Sequence, residues 1–228
     1  GNGGTQNITN DGNSDLQPDW VWIKDRTSAN DHKLTDSSRL SSGNPTLTLE
    51  SNTNIAEFND TDSTTAYLTD GFSIGANGNI NTNSNEYVAW QWKANGGTLT
   101  TVSESGSNPG HTRQTNATAG FSIIRYTGTG SVGTIAHGLG IVPDFIILKR
   151  LETADNWRTY DSIGGGTKAM RLNLTGGHGT SSSFFNDTDA TSSVFTLGTN
   201  SEINGDGEPY IAYVFGNVKG YSKIGAYK

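Results

Sequence analysis

The chain of 228 residues has no cysteine, a single methionine, five prolines and only 16% charged residues. Without thiols it can form neither a disulfide framework nor a cysteine-ligated metal centre. Cations are few and scattered: 15 Lys and Arg stand against 22 Asp and Glu, for a net charge of −7. With no basic run to neutralise phosphates, nucleic acid is not an expected partner. No apolar stretch approaches the roughly 18–20 residues that cross a bilayer as a helix, so no membrane span is expected. The opening Gly1-Asn2-Gly3-Gly4-Thr5 carries neither an initiator methionine nor a signal peptide, which predicts a processed chain or a piece of a longer one.

What the chain does contain is uncharged polarity. Glycine occurs 30 times, Asn, Ser and Thr abound, and hydrophobic residues make up 32%. Disordered chains combine high net charge with few aromatics. Here aromatics reach 9%, including five tryptophans, and fall in short apolar runs. The length accommodates one large domain or two of roughly 100 residues. Short strands with Ser, Thr, Asn and Gly surfaces are common among extracellular and virion β-proteins.

Compared with itself, the chain repeats. Pro18-Asp19-Trp20-Val21-Trp22-Ile23-Lys24 matches Pro143-Asp144-Phe145-Ile146-Ile147-Leu148-Lys149, and Phe58-Asn59-Asp60-Thr61-Asp62 recurs as Phe185-Asn186-Asp187-Thr188-Asp189. Tyr87-Val88-Ala89-Trp90-Gln91-Trp92 then matches Tyr210-Ile211-Ala212-Tyr213-Val214-Phe215. Order and spacing are kept within a few residues, the mark of a duplication. A further segment, Gly120 to Thr127, is echoed by Gly220 to Tyr227, and Gly128-Thr129-Gly130 resembles Gly1-Asn2-Gly3. Copy one therefore lacks its leading segment and copy two is followed by a spare, so either more copies lie outside this sequence or the last strand fills the place of the first. The spare, with Tyr221, Ile224 and Tyr227 as assembly residues, is expected to be a paired strand, exchanged onto the first copy or onto another subunit.

Period-two alternation at Trp20–Lys24 and Val88–Trp92, bounded by Gly, Asn and Asp, predicts strands. Further strands are expected at 46–50, 66–69, 72–74, 121–126, 170–174 and 194–197, and no window gives a capped amphipathic helix. The expected fold class is all-β: two tandem homologous antiparallel β-sandwich domains of lectin or jelly-roll type. Residues 1–93 form the first, 120–228 the second, and the Gly/Ser/Thr/Asn-rich stretch 94–119 an insertion or linker.

Candidate sites are sparse. Trp20, Trp22, Trp90 and Trp92 align with Phe145, Ile147, Tyr213 and Phe215, a pattern that suits core filling over ligand stacking. Trp157 aligns with His32 in the polar setting Asp155-Asn156-Trp157-Arg158, and is expected to be the exposed aromatic. His32, Asp155, Asn156, Trp157 and Arg158 are accordingly the glycan-contact candidates. Asp11, Asn13 and Asp15, with Asp60, Asp62, Asp187 and Asp189, offer oxygens at spacings that calcium can use. Turns are the preferred reading of these loops, since Asp and Asn bond back to nearby amides. No cofactor is required, and calcium is the one candidate ion. The carboxylates and histidines form no catalytic constellation, and neither a metal-binding His motif nor a nucleophile elbow is present.

Several of these segments resemble a known family. Pro-Asp-Trp-Val-Trp-Ile-Lys-Asp-Arg at 18–26, His-Lys-Leu-Thr-Asp-Ser-Ser-Arg at 32–39 and Tyr-Val-Ala-Trp-Gln-Trp-Lys at 87–93 are similar to a repeated, uncharacterised domain of marine bacteriophage proteins. So are Gly-Phe-Ser-Ile-Ile-Arg-Tyr-Thr-Gly at 120–128, Ala-His-Gly-Leu-Gly at 136–140 and Gly-Tyr-Ser-Lys-Ile-Gly at 220–225. The resemblance covers nearly the whole chain except 94–119. It implies a tail-fibre or other virion structural protein with a lectin-like fold, and transfers no catalytic residue.

The expected function is that of a non-enzymatic bacteriophage structural protein, in a tail fibre, an appendage or the capsid surface, assembling through β-edges. Its partners would be copies of itself and other virion proteins, and its location the virion or the extracellular space. A carbohydrate-binding adhesin for host-surface polysaccharide is the alternative, and a polysaccharide depolymerase the third reading.

Overall fold

A computed structural model describes residues 1–226. The protein is all-β, with 37% of residues in antiparallel strands and 7% in single-turn helices. It divides into two compact units, Gly1–Gly97 and Thr98–Lys228.

In the first unit the strands are β1 (Gln6–Ile8), β2 (Trp20–Asp25), β3 (Lys33–Asp36), β4 (Leu47–Thr48), β5 (Phe58–Asn59), β6 (Thr64–Tyr67), β7 (Phe72–Ile74) and β8 (Tyr87–Trp92), with helix α1 (Gly78–Asn81) before β8. They form sheets in the orders β3-β2-β8 and β1-β7-β6, with β4 and β5 as a separate pair. Val21 and Ile23 of β2 pack with Phe72, Ile74 and Ile80 as the core.

The second unit contains β9 (Thr100–Val102), β10 (His111–Asn116), β11 (Phe121–Thr127), β12 (Gly133–Ala136), β13 (Phe145–Arg150), β14 (Arg158–Asp161), β15 (Lys168–Arg171), β16 (Gly179–Thr180), α2 (Ser182–Phe185), β17 (Val194–Leu197), α3 (Ser201–Asn204) and β18 (Pro209–Phe215). Eight strands form one sheet in the order β16-β15-β14-β13-β18-β11-β10-β9, and β12 pairs with β17. Alternate side chains of the large sheet, among them Ile124, Tyr126, Leu148 and Tyr210, meet Ile135, Phe195, Leu197 and Ile203 in a closed core.

The duplication extends to strand register. Trp20 faces Asp36 and Trp92, as Phe145 faces Asp161 and Phe215. Gln6 faces Ile74 and Ile8 faces Phe72, as Gly133 faces Leu197 and Ile135 faces Phe195. Polar anchors repeat as well. Asp19 accepts from the Ser37 hydroxyl at 2.6 Å and the Ala94 amide at 2.7 Å, and Asp144 accepts from Ser162 at 3.1 Å and the Asn217 amide at 2.9 Å. Asn81 and Asn204, each fully buried, use their side-chain amides to hold Gly75 O at 2.8 Å and Gly198 O at 2.7 Å. Their carbonyls accept from the amides of Asn2 at 3.0 Å and Thr129 at 2.9 Å.

Two sequence expectations are corrected here. The stretch 94–119, expected as an insertion or linker, contains β9 and β10, and β10 pairs along its whole length with β11. The strand His111-Thr-Arg-Gln-Thr-Asn is polar on both faces. His111 and Arg113 are satisfied by the carbonyl of Ala136, and Thr115 by that of His137, so nothing apolar announced it. The exchanged strand at 221–227 is likewise absent among the described residues. Gly220, at φ +80°, turns the chain so that Ser222 bridges back to Val218. The Ile224 amide donates to the Asn217 side chain, and 223–226 lie in no strand. The cause is local: in its own unit β11 already occupies the edge of β18. Tyr227 lies outside the described residues.

Lys149 is fully buried, its ammonium donating to the Asp155 carbonyl at 2.9 Å. Burial lowers its pKa to about 8 from the ordinary 10.5, against the opposing pull of Asp155. The unfolded chain keeps that proton up to 10.5, so between 8 and 10.5 the folded state binds fewer protons and gains stability as pH rises. Above 10 the sign reverses, because burial raises the pKa of Tyr126 and Tyr210 and they ionise more readily when unfolded. The urea midpoint of the second unit should therefore climb from pH 8 and turn over near pH 10. Lys149→Met should flatten the climb.

Candidate functional site

The residues singled out for glycan contact do not form an exposed platform. Trp157 is fully buried, because the segment after β15 covers it: the Leu172 amide bonds to its carbonyl and the Asn173 side chain to its amide. Arg158 is also buried, paired with Glu202 and lying over the Phe184 ring at 4.2 Å. Asp155 is held by Arg150 at 3.0 Å, and Asn156 accepts from Asn173 at 2.9 Å. His32 accepts instead from Trp22 Nε1, at 2.8 Å, in the other unit.

The acidic loops behave as turns. Asp60 accepts from the Asp62 amide and from the Asn77 side chain, and Asp189 accepts from the Gly166 amide. Asn186 and Asp187 take left-handed backbone, at φ 52° and 51°. Asp11, Asn13 and Asp15 lie in an exposed loop. Among the described residues no three His, Asp or Glu side chains are grouped as a metal would require.

The tryptophans assigned to core filling divide. Trp20 is buried and stacks on Trp92 with ring centroids 4.4 Å apart, but Trp90 is 43% exposed. Its edge meets Trp22 at 5.8 Å, and Trp22 in turn meets His32. In the second unit Tyr213, the counterpart of Trp90, is fully buried beside β11.

This contrast defines the site. β18 has β13 on one side and β11 on the other, whereas β8 has β2 on one side and is the last strand of its sheet. Beside β8 lies a cavity of about 610 Å³ whose lining is mixed: apolar Ile8, Ile23, Phe72, Ile74, Ile80, Tyr87 and Ala89, with polar Gln6, Arg26, Asn85, Glu86 and Gln91. In the second unit the equivalents of these apolar residues and of Gln91, namely Ile135, Leu148, Phe195, Leu197, Ile203, Tyr210, Ala212 and Val214, all belong to its closed core. There Ile124 and Tyr126 fill the space: the Tyr126 ring stacks on Tyr210 at 5.1 Å and its hydroxyl donates to Ile203 O at 2.6 Å. The cavity is the place that Ile124 and Tyr126 would occupy in a second copy of β11.

Gly1 fixes the register of this comparison. Its amino group donates to Asn85 O at 2.6 Å, as the Gly128 amide donates to Glu208 O at 2.8 Å. A Cβ at Gly1 would lie 2.2 Å from Thr82 O, and one at Gly128 2.3 Å from Gly205 O, so only glycine fits either seat. Among the described residues β8 has no neighbour corresponding to residues 121–127, which precede Gly128. Sequence comparison did not foresee the cavity beside β8. The one available signal was Gln91 where the second copy has Val214, a polar residue on an otherwise inward face.

Fold and site together define an all-β, antiparallel protein of two repeated units, one with a closed sheet edge and one with an open edge over a cavity. The chain belongs to the family described as a domain of unknown function, DUF7483, which it matches over residues 1–228. No curated protein and no solved structure matches it.

Proposed function

We propose that this chain is a non-enzymatic structural protein of a bacteriophage particle, built as two tandem lectin-like β-sandwiches that assemble through β-edges. The observation that carries the reading is the repeat itself: two all-β units of matching antiparallel register, a construction whose sheet edges can take up further strands. The sequence resemblance to phage tail-fibre and virion domains supplies the setting. The uncharged polar surface and net negative charge suit a body that must not adhere to nucleic acid or anionic envelopes. The glutamates do not suggest acid-base work either: Glu50, Glu57, Glu202 and Glu208 are each engaged by a cation. Particles purified by density gradient from the source culture should contain the chain in fixed stoichiometry by mass spectrometry, and antibodies should label them in electron micrographs. Its absence from particles and fibres would overturn the proposal.

A second reading, a carbohydrate-binding adhesin, is favoured by the half-exposed Trp90 with Trp22 and His32 alongside. Indole faces stack on sugar rings, and Trp90 is an exposed large aromatic beside a second indole. Under this reading, Trp90→Ala abolishes binding on a glycan array while far-UV circular dichroism shows the chain still folded. An array without a binder would remove it.

A further inference from the structure

We propose that the second unit holds a binding site for a carboxylate-bearing sugar residue, a uronate of an acidic polysaccharide, between Arg158 and Arg171. The proposal goes beyond both readings above, since it concerns the second unit and not the Trp90 row of the first. The site is a cavity of about 270 Å³ against β14 and β15, lined by Arg158, Arg171, Leu174, Thr180, Ser181 and Phe184, among others. Among the described residues no Asp or Glu lines it, although the chain carries 22 acidic residues against 15 basic ones. By contrast, the cavity beside β8 contains Glu86, and a third, of about 230 Å³, contains Asp19.

The first unit shows how the fold accommodates a cation at this position. Lys33 is the counterpart of Arg158: it lies opposite Ile23 as Arg158 lies opposite Leu148. Leu34 bridges to Leu49, so the residue across from Lys33 is Glu50, and the two form a buried ion pair at 2.5 Å. Across from Arg158 stands Arg171 instead. Like charges directly opposite on neighbouring strands destabilise a sheet. Glu202 pairs with Arg158, but Arg171 is exposed and has no ion pair among the described residues. An arginine thus stands where the first unit has a carboxylate. A ligand carboxylate set between the two guanidiniums would restore the charge pattern of Lys33 and Glu50, and the planar guanidinium fork suits that group.

The rest of the lining fits a sugar ring. Leu174, 52% exposed, offers an apolar surface to the C–H face of the ring. Thr180 Oγ1 accepts from Lys168 Nζ at 2.6 Å, which leaves its own proton to donate to a ring hydroxyl. Gly176 and Gly177 keep the lip bare, since a Cβ on either would meet nothing within 4 Å. Pockets for drug-sized ligands run to roughly 300–1,000 Å³, so this smaller one takes about one ring of a longer chain.

Isothermal titration calorimetry of the full chain with trisaccharides of galacturonate, glucuronate and mannuronate tests this. At least one should bind with a dissociation constant below about 1 mM, and its methyl ester, with the same rings and no charge, at least about tenfold more weakly. Binding should weaken as salt rises. Arg171→Gln should lower the affinity at least about tenfold. Arg171→Glu, which rebuilds the pattern of Lys33 and Glu50 within the chain, should abolish binding. Arg125→Gln removes an exposed cation from β11 and should leave binding unchanged.

The proposal is overturned if no uronate binds up to about 10 mM, if the ester binds as well as the acid, or if Arg171→Gln keeps full affinity. Triglutamate binding as tightly as the best uronate would assign the cavity to acidic peptides, and acetate doing so would assign it to small anions. Either result also overturns the proposal. None of them touches the presence of the chain on particles or a glycan bound at Trp90, which are measured separately.

Discussion

Arg39→Leu should cost the first unit about 3–5 kcal/mol, the penalty for leaving a buried ion without its partner. The Arg39 side chain is fully buried, as is that of Asp36, whose Oδ2 accepts from Arg39 Nε at 2.7 Å. The guanidinium also reaches Glu57, so one cation serves two carboxylates. Leucine fills the volume but leaves Asp36 in low dielectric without the guanidinium, still capping the Ser38 amide at 3.0 Å. Lysine keeps the charge but not the fork that spans two acceptors, and should fall between. The control is Arg26→Leu: that residue sits 3.7 Å from Glu86, with the side chains 61% and 75% exposed, and should change stability by less than about 1 kcal/mol. Urea unfolding read by far-UV circular dichroism separates the two outcomes. A loss below about 1 kcal/mol for Arg39→Leu would mean that water reaches Asp36.

Asn204→Ala should destabilise the second unit by about 3 kcal/mol. Its side-chain amide donates to Ser131 O and Gly198 O, both at 2.7 Å, and its carbonyl accepts from the Thr129 amide at 2.9 Å. Alanine removes the side-chain partner of the Gly198 carbonyl and of the Thr129 amide, while Ser131 O keeps the Thr129 hydroxyl at 3.3 Å, and each unsatisfied buried group costs about 1–3 kcal/mol before relaxation. Asn204→Asp should do no better, because it aims an acceptor at two carbonyls. Asn81 holds Gly4 O, Gly75 O and the Asn2 amide in the first unit. Asn81→Ala should therefore loosen Gly1 to Gly4 and the seat beside Asn85. Differential scanning calorimetry of the two variants should show each lowering a different transition. A common shift of both would contradict independent units.

How much of this was legible in the sequence depended on where side chains alternate. β2, β7, β8, β11 and β17 carry large apolar residues at every second position, and their periodicity marked them. β10 and β14 do not. His111-Thr-Arg-Gln-Thr-Asn is held by hydrogen bonds from polar side chains, and Arg158-Thr-Tyr-Asp places an arginine inside by pairing it with Glu202. Period-based reasoning sees neither. The glycan candidate failed for a related reason. Polar neighbours at Asp155, Asn156 and Arg158 suggested exposure for Trp157, yet these neighbours satisfy one another or nearby partners, and the indole between them is covered. At Trp90 the error ran the other way. Its match with Tyr213 implied burial, but Tyr213 is fully buried whereas Trp90 is 43% exposed.

The tryptophans are also distributed unequally. Trp20, Trp22, Trp90 and Trp92 lie in the first unit and Trp157 alone in the second, where it is sealed from water. Indole emission from the intact chain is thus dominated by one half. A soluble quencher such as iodide should dim Trp90 and spare Trp157. The molecule carries its own optical probe of whatever comes to lie against that row of rings.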